Sequence, residues 1–201
     1  VLSWNDWLRS GSDSPPPGDV RPLPNMLYTS GTTGVPKGTE LPPTMFAGGS
    51  TVQEHIAALQ ESRYAKLGTH LVLGPLYHTG PLSGMRSLLA GVPSVVMGRF
   101  DAEATLRAIS DYRAESTLMV PTHFIRLLDL PSEIRARYDV SSMRRVVHTG
   151  SKCPVDVNRA MIDWWGPVFL EAYGATEVGT TCSITSEEWL EHPGSVGRAI
   201  A

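Results

Sequence analysis

Residues Met26 to Gly38 read MLYTSGTTGVPKG, a short apolar run followed by glycines, threonines and a serine around a single lysine. Glycine permits positive φ, so Gly31, Gly34 and Gly38 let successive backbone N–H groups turn inward as an anion-binding nest. Ser30, Thr32 and Thr33 add hydroxyl donors, and Lys37 adds a mobile positive charge. The set suits a polyphosphate. A Walker loop needs Gly directly before its Lys and Ser or Thr directly after it, but Pro36 and Gly38 hold those places. A GTPase of the Walker kind is therefore disfavoured.

Four further stretches hold residues able to do chemistry. GPLYHTG places His78 just past an apolar segment, and HTGSKCP exposes backbone at Gly150 and Ser151 beside Lys152, which also reads as a surface lysine. EAYGATEVG offers Tyr173 as a flat stacking surface, Thr176 as a hydroxyl donor and Glu177 as a metal ligand. A carboxylate beside a polyphosphate is repelled unless a cation such as Mg²⁺ lies between them, which makes Glu177 informative. GSVGR near the end supplies a last tight turn. No serine stands in G-x-S-x-G and no histidine pair in H-E-x-x-H, so a nucleophile-elbow hydrolase and a zincin lack support.

These groups need elements to hold them. Ser10 to Asn25 is rich in Pro, Gly, Ser and Asp and predicts a linker or an extended arm, so residues 1–25 are set apart from 26–201. Beyond it the pattern predicts a strand at Met26–Thr29, a helix from about Pro43 to Lys66, a strand at His70–Leu73, and a helix around Leu82–Leu89. A strand at Ser94–Met97 follows, then a helix capped by Asp101 with Leu106, Ile109 and Tyr112 or Arg113 near one face. Ser116–Val120 predicts a strand, Pro121 the start of a helix carrying Phe124, Leu127 and Leu128, and RRVVHTG a strand running into a turn. Pro154–Trp165 predicts a helix, with Trp164 and Trp165 as core or interface anchors, and VFLEAYG a strand. The phosphate-like loop and the EAYGATEVG stretch are read as loops following strands that end at Thr29 and Leu170. Strands alternating with such helices predict an α/β fold with a mainly parallel, doubly wound sheet, whose ligands sit beyond the strands' carboxyl ends.

Bulk properties narrow the partners. The chain has 201 residues, 41% of them hydrophobic, enough to bury a real core. A formal net charge of -3 gives no broad basic face for nucleic acid. No apolar run approaches the ~20 residues of a membrane helix. Two cysteines, Cys153 and Cys182, are too few for a disulfide framework and fit a reducing, cytoplasmic setting. The chain opens on VLSWNDWLRS without Met and stops at GSVGRAIA, which reads as a piece of a longer polypeptide.

Taken together, YTSGTTGVPKG, PLYHTG, TGSKCP, YGATE and GSVGR, in that order, resemble the adenylate-forming superfamily: acyl-CoA synthetases, firefly luciferases and peptide-synthetase adenylation domains. The landmarks run from residue 28 to residue 198. The resemblance implies two steps, in which a carboxylate attacks the α-phosphate of MgATP to give acyl-AMP, and a thiol, usually that of CoA, then takes the acyl group. It implies that Thr29, Ser30, Gly31, Thr32, Thr33, Gly34 and Lys37 orient the β- and γ-phosphates, that Thr176 contacts the α-phosphate and that Glu177 holds Mg²⁺. Tyr173, Gly174 and Ala175, with Gly150, Ser151 and Lys152, would enclose adenine, and His78 would line the acyl site. Lys37, His78, Thr176 and Glu177 are thus the expected catalytic set. Ala175 stands where peptide-synthetase domains carry proline, and PLYHTG is similar to the acyl-CoA synthetase form, so that branch is favoured, with a fatty, aryl or sterol side-chain acid as substrate. TELPPT after Gly38 and Lys152 in the glycine turn depart from the family pattern. The resemblance also implies a ribose-binding Asp and a lysine on a small C-terminal lid domain; the chain's lysines, Lys37, Lys66 and Lys152, do not lie in that context. The expectation is the central nucleotide-binding portion of the large domain, not competent for adenylation alone, with a non-catalytic nucleotide-binding or interaction module as the rival.

Overall fold

A computed structural model describes residues 3–15, 17–23, 25–29, 34–41 and 48–200. The chain begins with helix α1 (Trp4–Arg9), capped by the Ser3 side chain, which accepts from the Asp6 N–H. An arm then runs to β1 (Asn25–Thr29), which pairs antiparallel with β2 (Lys37–Leu41) as a separate two-stranded sheet. The arm is docked: the Gly18 and Val20 carbonyls accept from Gln53 and Val52 N–H at 3.0 and 2.7 Å. Those donors are among the free N–H groups that open α2 (Val52–Glu61).

The helix expected from Pro43 to Lys66 is shorter than its sequence suggested. Residues 42–47 lie outside the described set, and α2 starts only at Val52, with Thr51 accepting from Glu54 N–H at 3.2 Å. Gly49 explains the late start, since its φ is +107° and a Cβ there would stand 2.4 Å from the His55 nitrogen. Ser62 ends the helix and caps a 3₁₀ turn over Arg63–Lys66.

The main sheet has seven strands. β3 (His70–Val72), β4 (Ser94–Val96), β5 (Ser116–Met119), β6 (Arg145–His148) and β7 (Phe169–Ala175) are parallel; β8 (Gly179–Thr185) and β9 (Arg198–Ala199) add antiparallel edges, in the order β4-β3-β5-β6-β7-β8-β9. Between them lie α3 (Thr79–Leu89), α4 (Ala102–Tyr112), α5 (Pro121–Leu128), the short α6 (Ser132–Arg135), α7 (Val155–Trp165) and α8 (Ser186–Glu191). The chain leaves β3 toward β4, then crosses back to β5 on the other side. With right-handed crossovers, that reversal puts α3 on one face and α4, α5 and α7 on the other. The packing agrees: α2 and α3 touch each other, and α5 touches α4 and α7. The sheet is mainly parallel and doubly wound as expected, with its switch point between β3 and β5.

The larger core fills the α4–α5–α7 side. Phe124 is fully buried, with its ring edge-on to Phe169 at 5.4 Å, and Leu106, Ile109, Leu127, Met161 and Trp165 surround it. Leu106 and Ile109 fill the expected face of α4, whereas Tyr112 is exposed and Arg113 turns to φ +51° as the C-cap, pairing with Asp139. Asp101 caps α4 by accepting from Ala104 N–H at 2.8 Å, a contact worth about 1 kcal/mol. Trp165 is buried, and Trp164 lies half-buried beneath the Arg135 guanidinium at 5.1 Å. No helix among the described residues is long and apolar enough to cross a membrane.

Three histidines are folded into this framework in neutral form. Burial pushes His70, His123 and His148 down to about 4, with Arg126 adding to the effect at His123. The unfolded chain takes up protons below about pH 6.5 that the folded chain refuses, so stability falls as pH drops from 6.5 toward 4. The unfolding free energy from urea titrations is expected to decline steadily between pH 7 and 5, by on the order of 1–2 kcal/mol per histidine. Replacing His70, whose Nδ1 lies 2.7 Å from the Ser116 hydroxyl, by Asn should flatten that decline. An unchanged slope in His70→Asn removes this histidine from the account.

Candidate active site

The sheet lines its parallel strand ends along one edge, and the loops beyond those ends carry most of the sequence-selected residues. After β3 the chain turns through Gly74 and Pro75, and His78 becomes the N-cap residue of α3 with an exposed side chain. The helix begins at Thr79, three residues earlier than expected, and that fixes His78 at its start. After β6 the Thr149 N–H still donates to the Met119 carbonyl at 3.3 Å, and Gly150 then takes φ +93°. Ser151 and Lys152 follow, both exposed, before Cys153 turns inward.

The YGATE stretch differs from its predicted form. The strand expected over VFLEAYG is present as β7 and runs through Tyr173, Gly174 and Ala175, paired with β8 down to Ala175↔Gly179, so the stretch after Leu170 is not a loop. Thr176, Glu177 and Val178 form the tip of a hairpin, closed by Val178 N–H donating to the Ala175 carbonyl at 3.3 Å and by Gly179 at φ +72°. The reason lies in GTTCSIT, whose β-branched residues supply the antiparallel partner that keeps β7 extended. A bulge interrupts the ladder at Tyr173/Gly174, and the Thr181 hydroxyl donates to the Tyr173 carbonyl at 3.1 Å. The phenol of Tyr173 stands 59% exposed, available for stacking.

The glycine-rich stretch is likewise a hairpin. Thr29 pairs with Lys37 and Tyr28 with Gly38, so Lys37 and Gly38 belong to β2 and not to a loop running on to Gly38. Lys37, Thr39 and Leu41 share one face of the return strand, and its burial deepens from exposed Lys37 to buried Leu41. Ser30, Gly31, Thr32 and Thr33 lie outside the described residues. Gly34 is at φ +80° near the tip, a conformation that disfavours any side chain.

The β6–β7 register leaves Gly150, Ser151 and Lys152 just past the end of one strand and Tyr173, Gly174 and Ala175 past the last paired residue of its neighbour. His78 lies along the same edge, across the switch point. Thr29, Gly34 and Lys37 are on the separate hairpin. Among the described residues neither Lys37 nor Glu177 forms an ion pair, and no three His, Cys, Asp or Glu side chains cluster as a metal cage. A single exposed carboxylate fits Mg²⁺, which is commonly held by one or two carboxylates and completes its shell with substrate phosphates.

Sequence reasoning passed over His148 and Glu171, the last pair in the β6–β7 register. His148 is fully buried and Glu171 is 8% exposed. The signal lies in the period of two: His148 shares the buried face of β6 with Val146, and Glu171 that of β7 with Phe169.

The model of the AMP-binding enzyme family matches residues 4–201. The chain belongs to the AMP-binding enzyme family. Among its relatives in that family, a mitochondrial medium-chain acyl-CoA ligase of Bos taurus is 33% identical over 187 residues, 88% of this chain and 29% of the relative. The chain spans about a third of the length of the curated relatives it matches. Among solved structures, the inhibitor-bound N-terminal domain of FACL13 from Mycobacterium tuberculosis superposes with TM-score 0.75 at 23% identity, over 97% of this chain and 48% of that one, and shares the fold. ATP-bound MatB from Rhodopseudomonas palustris matches with TM-score 0.63 at 27% identity, over 88% of this chain and 33% of that one.

The tip geometry of this AMP-binding chain gives a direct test. A Cβ at Gly174 would lie 2.0 Å from the Gly179 carbonyl oxygen, whereas one at Gly38 would meet only the movable Met26 Sδ, at 2.9 Å, as its nearest neighbour. Gly174→Ala is expected to cost about 1–3 kcal/mol and to loosen amide-exchange protection along Tyr173–Cys182. Gly38→Ala should cost less than half as much. Equal thermal shifts in the two variants would show that the backbone crossing at Gly174 does not govern the hairpin.

Proposed function

We propose that this chain is the nucleotide-binding part of an ATP-dependent carboxylic acid:CoA ligase, acting on a fatty or related acid within a longer enzyme. The reading rests on the exposed Tyr173 ring and the Gly150–Lys152 turn standing on neighbouring strand ends, with Thr176 and Glu177 on the adjoining hairpin tip. Family membership, the bovine acyl-CoA ligase and ATP-bound MatB support it.

Each residue then has a physical task. Tyr173 stacks on one face of adenine while Gly150, Ser151 and Lys152 close the other, with Gly174 and Ala175 keeping the backbone close. Thr29 to Gly34 and Lys37 neutralise and orient the β- and γ-phosphates, and Thr176 donates to an α-phosphate oxygen. Glu177 would hold Mg²⁺, whose charge would offset the repulsion between triphosphate and carboxylate. His78 lines the acyl site at the carboxylate end. The acid's oxygen bonds to the α-phosphorus as the bond to pyrophosphate breaks. The CoA thiolate then bonds to the acyl carbon and AMP leaves. The obstacle is one anion attacking another, so preorganised donors matter; removal of one costs roughly 2 to 4 kcal/mol, by analogy with an oxyanion hole. The two free thiols, Cys153 and Cys182, fit a cytoplasmic enzyme.

Calorimetric titration of MgATP into the chain tests the reading, with binding expected and no heat above dilution overturning it. Within the complete enzyme, Lys37→Ala and Glu177→Ala should each slow single-turnover acyl-AMP formation by 30-fold or more, about 2 kcal/mol, with little change in melting temperature. An unchanged rate removes that residue from the site. The chain alone should not catalyse ATP–pyrophosphate exchange, because its three lysines stand in the glycine-rich hairpin, at the end of a 3₁₀ turn and beside the base. Robust exchange would show that no lid lysine is required.

A further inference from the structure

Behind the base-binding surface lies a pair of buried ionisable groups that the proposed chemistry does not use. His148 ends β6 and Glu171 is its register partner on β7, so both side chains leave the same face of the sheet. On that face Phe124 of α5 meets the imidazole edge-on at 5.1 Å. The Nε2–Oε2 distance between His148 and Glu171 is 3.9 Å. Among the described residues neither imidazole nitrogen has a hydrogen-bond partner. Leaving such a group unsatisfied in the interior costs about 1–3 kcal/mol, so a small rotation that joins imidazole to carboxyl is favoured. Burial lowers the imidazole's proton affinity and raises that of the carboxyl, and it pushes the nearby Cys153 thiol to about 12, with Glu171 and Asp156 adding to that rise. A hydrogen bond between imidazole and carboxyl is the arrangement that satisfies both groups without solvent.

The pair's position matters more than its energy. One residue beyond His148 the chain enters Thr149–Lys152, and two residues beyond Glu171 stands Tyr173, so the pair is the last side-chain link between the two strands before they diverge into the two walls. We propose that His148 and Glu171 are positioning residues whose mutual hydrogen bond fixes the spacing between the Gly150–Lys152 turn and the Tyr173 ring, and with it the fit of a purine base. The inference rests on the nucleotide reading above.

The test uses the 201-residue chain and two measurements. Proton and nitrogen NMR of the ring is expected to show a slowly exchanging, downfield His148 N–H in the unmodified chain. That signal should persist in Glu171→Gln, which still hydrogen-bonds, and vanish in Glu171→Leu. Calorimetry with AMP should show about tenfold weaker binding for His148→Phe and Glu171→Leu, equivalent to ~1.4 kcal/mol. Glu171→Gln should stay within about threefold of the unmodified chain. His148→Phe keeps the ring's volume against Phe124 but strips the Glu171 carboxyl of its partner, at a cost of about 1–3 kcal/mol. AMP is therefore titrated without denaturant, where circular dichroism shows each variant folded, which separates positioning from unfolding. Unchanged AMP affinity in both apolar variants, or no such N–H in the unmodified chain, overturns this inference alone. Absence of AMP binding by the unmodified chain overturns the nucleotide reading and the positioning role with it.

Discussion

The parallel register from β3 through β7 is the constraint on which the site depends. Each strand is locked to its neighbour residue by residue, His70↔Ser116, Thr117↔Val146, Val147↔Leu170, and so the carboxyl ends arrive at one edge in a fixed order. Parallel pairing leaves both faces to be covered, and the reversal between β3 and β5 divides the helices between them. Buried side chains reinforce the lock: the Thr117 hydroxyl donates to the Leu71 carbonyl at 2.7 Å, and Ser116 meets His70. These contacts satisfy polar groups in the sheet interior and at the same time set the level of the strand ends.

Where that register stops, the construction changes. Past Glu171, β7 loses its parallel neighbour and keeps only the antiparallel β8, which already pairs with it from Leu170, so its final residues extend beyond the parallel edge because β8 runs beside them. Antiparallel pairing makes possible a hairpin tip of three residues, whereas a parallel crossover would need a dozen or more. Tyr173 is therefore presented on hydrogen-bonded backbone, with its ring in solvent and its carbonyl held by Thr181. A stacking surface built in this way loses little entropy when a flat ligand meets it, because the strand was ordered beforehand.

Much of this was legible in the sequence. Asp101 as a cap, Phe124 and Leu127 as core, and the order of strands and helices from His70 to Trp165 follow from local rules of capping and apolar period, which act over three or four residues. What was not legible depends on partners distant in sequence. EAYGATEVG alone does not show that GTTCSIT will pair with it, so reading it as a loop beyond Leu170 misses how far the VFLEAYG strand extends. The stretch MLYTSGTTGVPKG suffered the same error, because the return strand Lys37–Leu41 announces itself only through Leu41's burial. Gly49 gave no local sign that it would delay α2, since the obstacle is the backbone of His55 folded against it.

The His148–Glu171 pair shows why the hidden part of a site is the harder part to read. Each residue alone looks like an intrusion of charge into an apolar strand, which local reasoning counts against a buried position. Only the register places the two side by side, and only the layer of α5 above them excludes water from the imidazole. An apolar pair of the same size would satisfy the core equally well and would avoid the desolvation cost. What an apolar pair cannot supply is direction: a hydrogen bond weakens steeply when its angle or length departs from the optimum, so it resists sliding of one strand past another. Dispersion contacts tolerate such slippage. A polar link is therefore best placed where two strand ends must hold a fixed gap, and the proposed His148–Glu171 link would lie directly behind the two surfaces that would enclose a base.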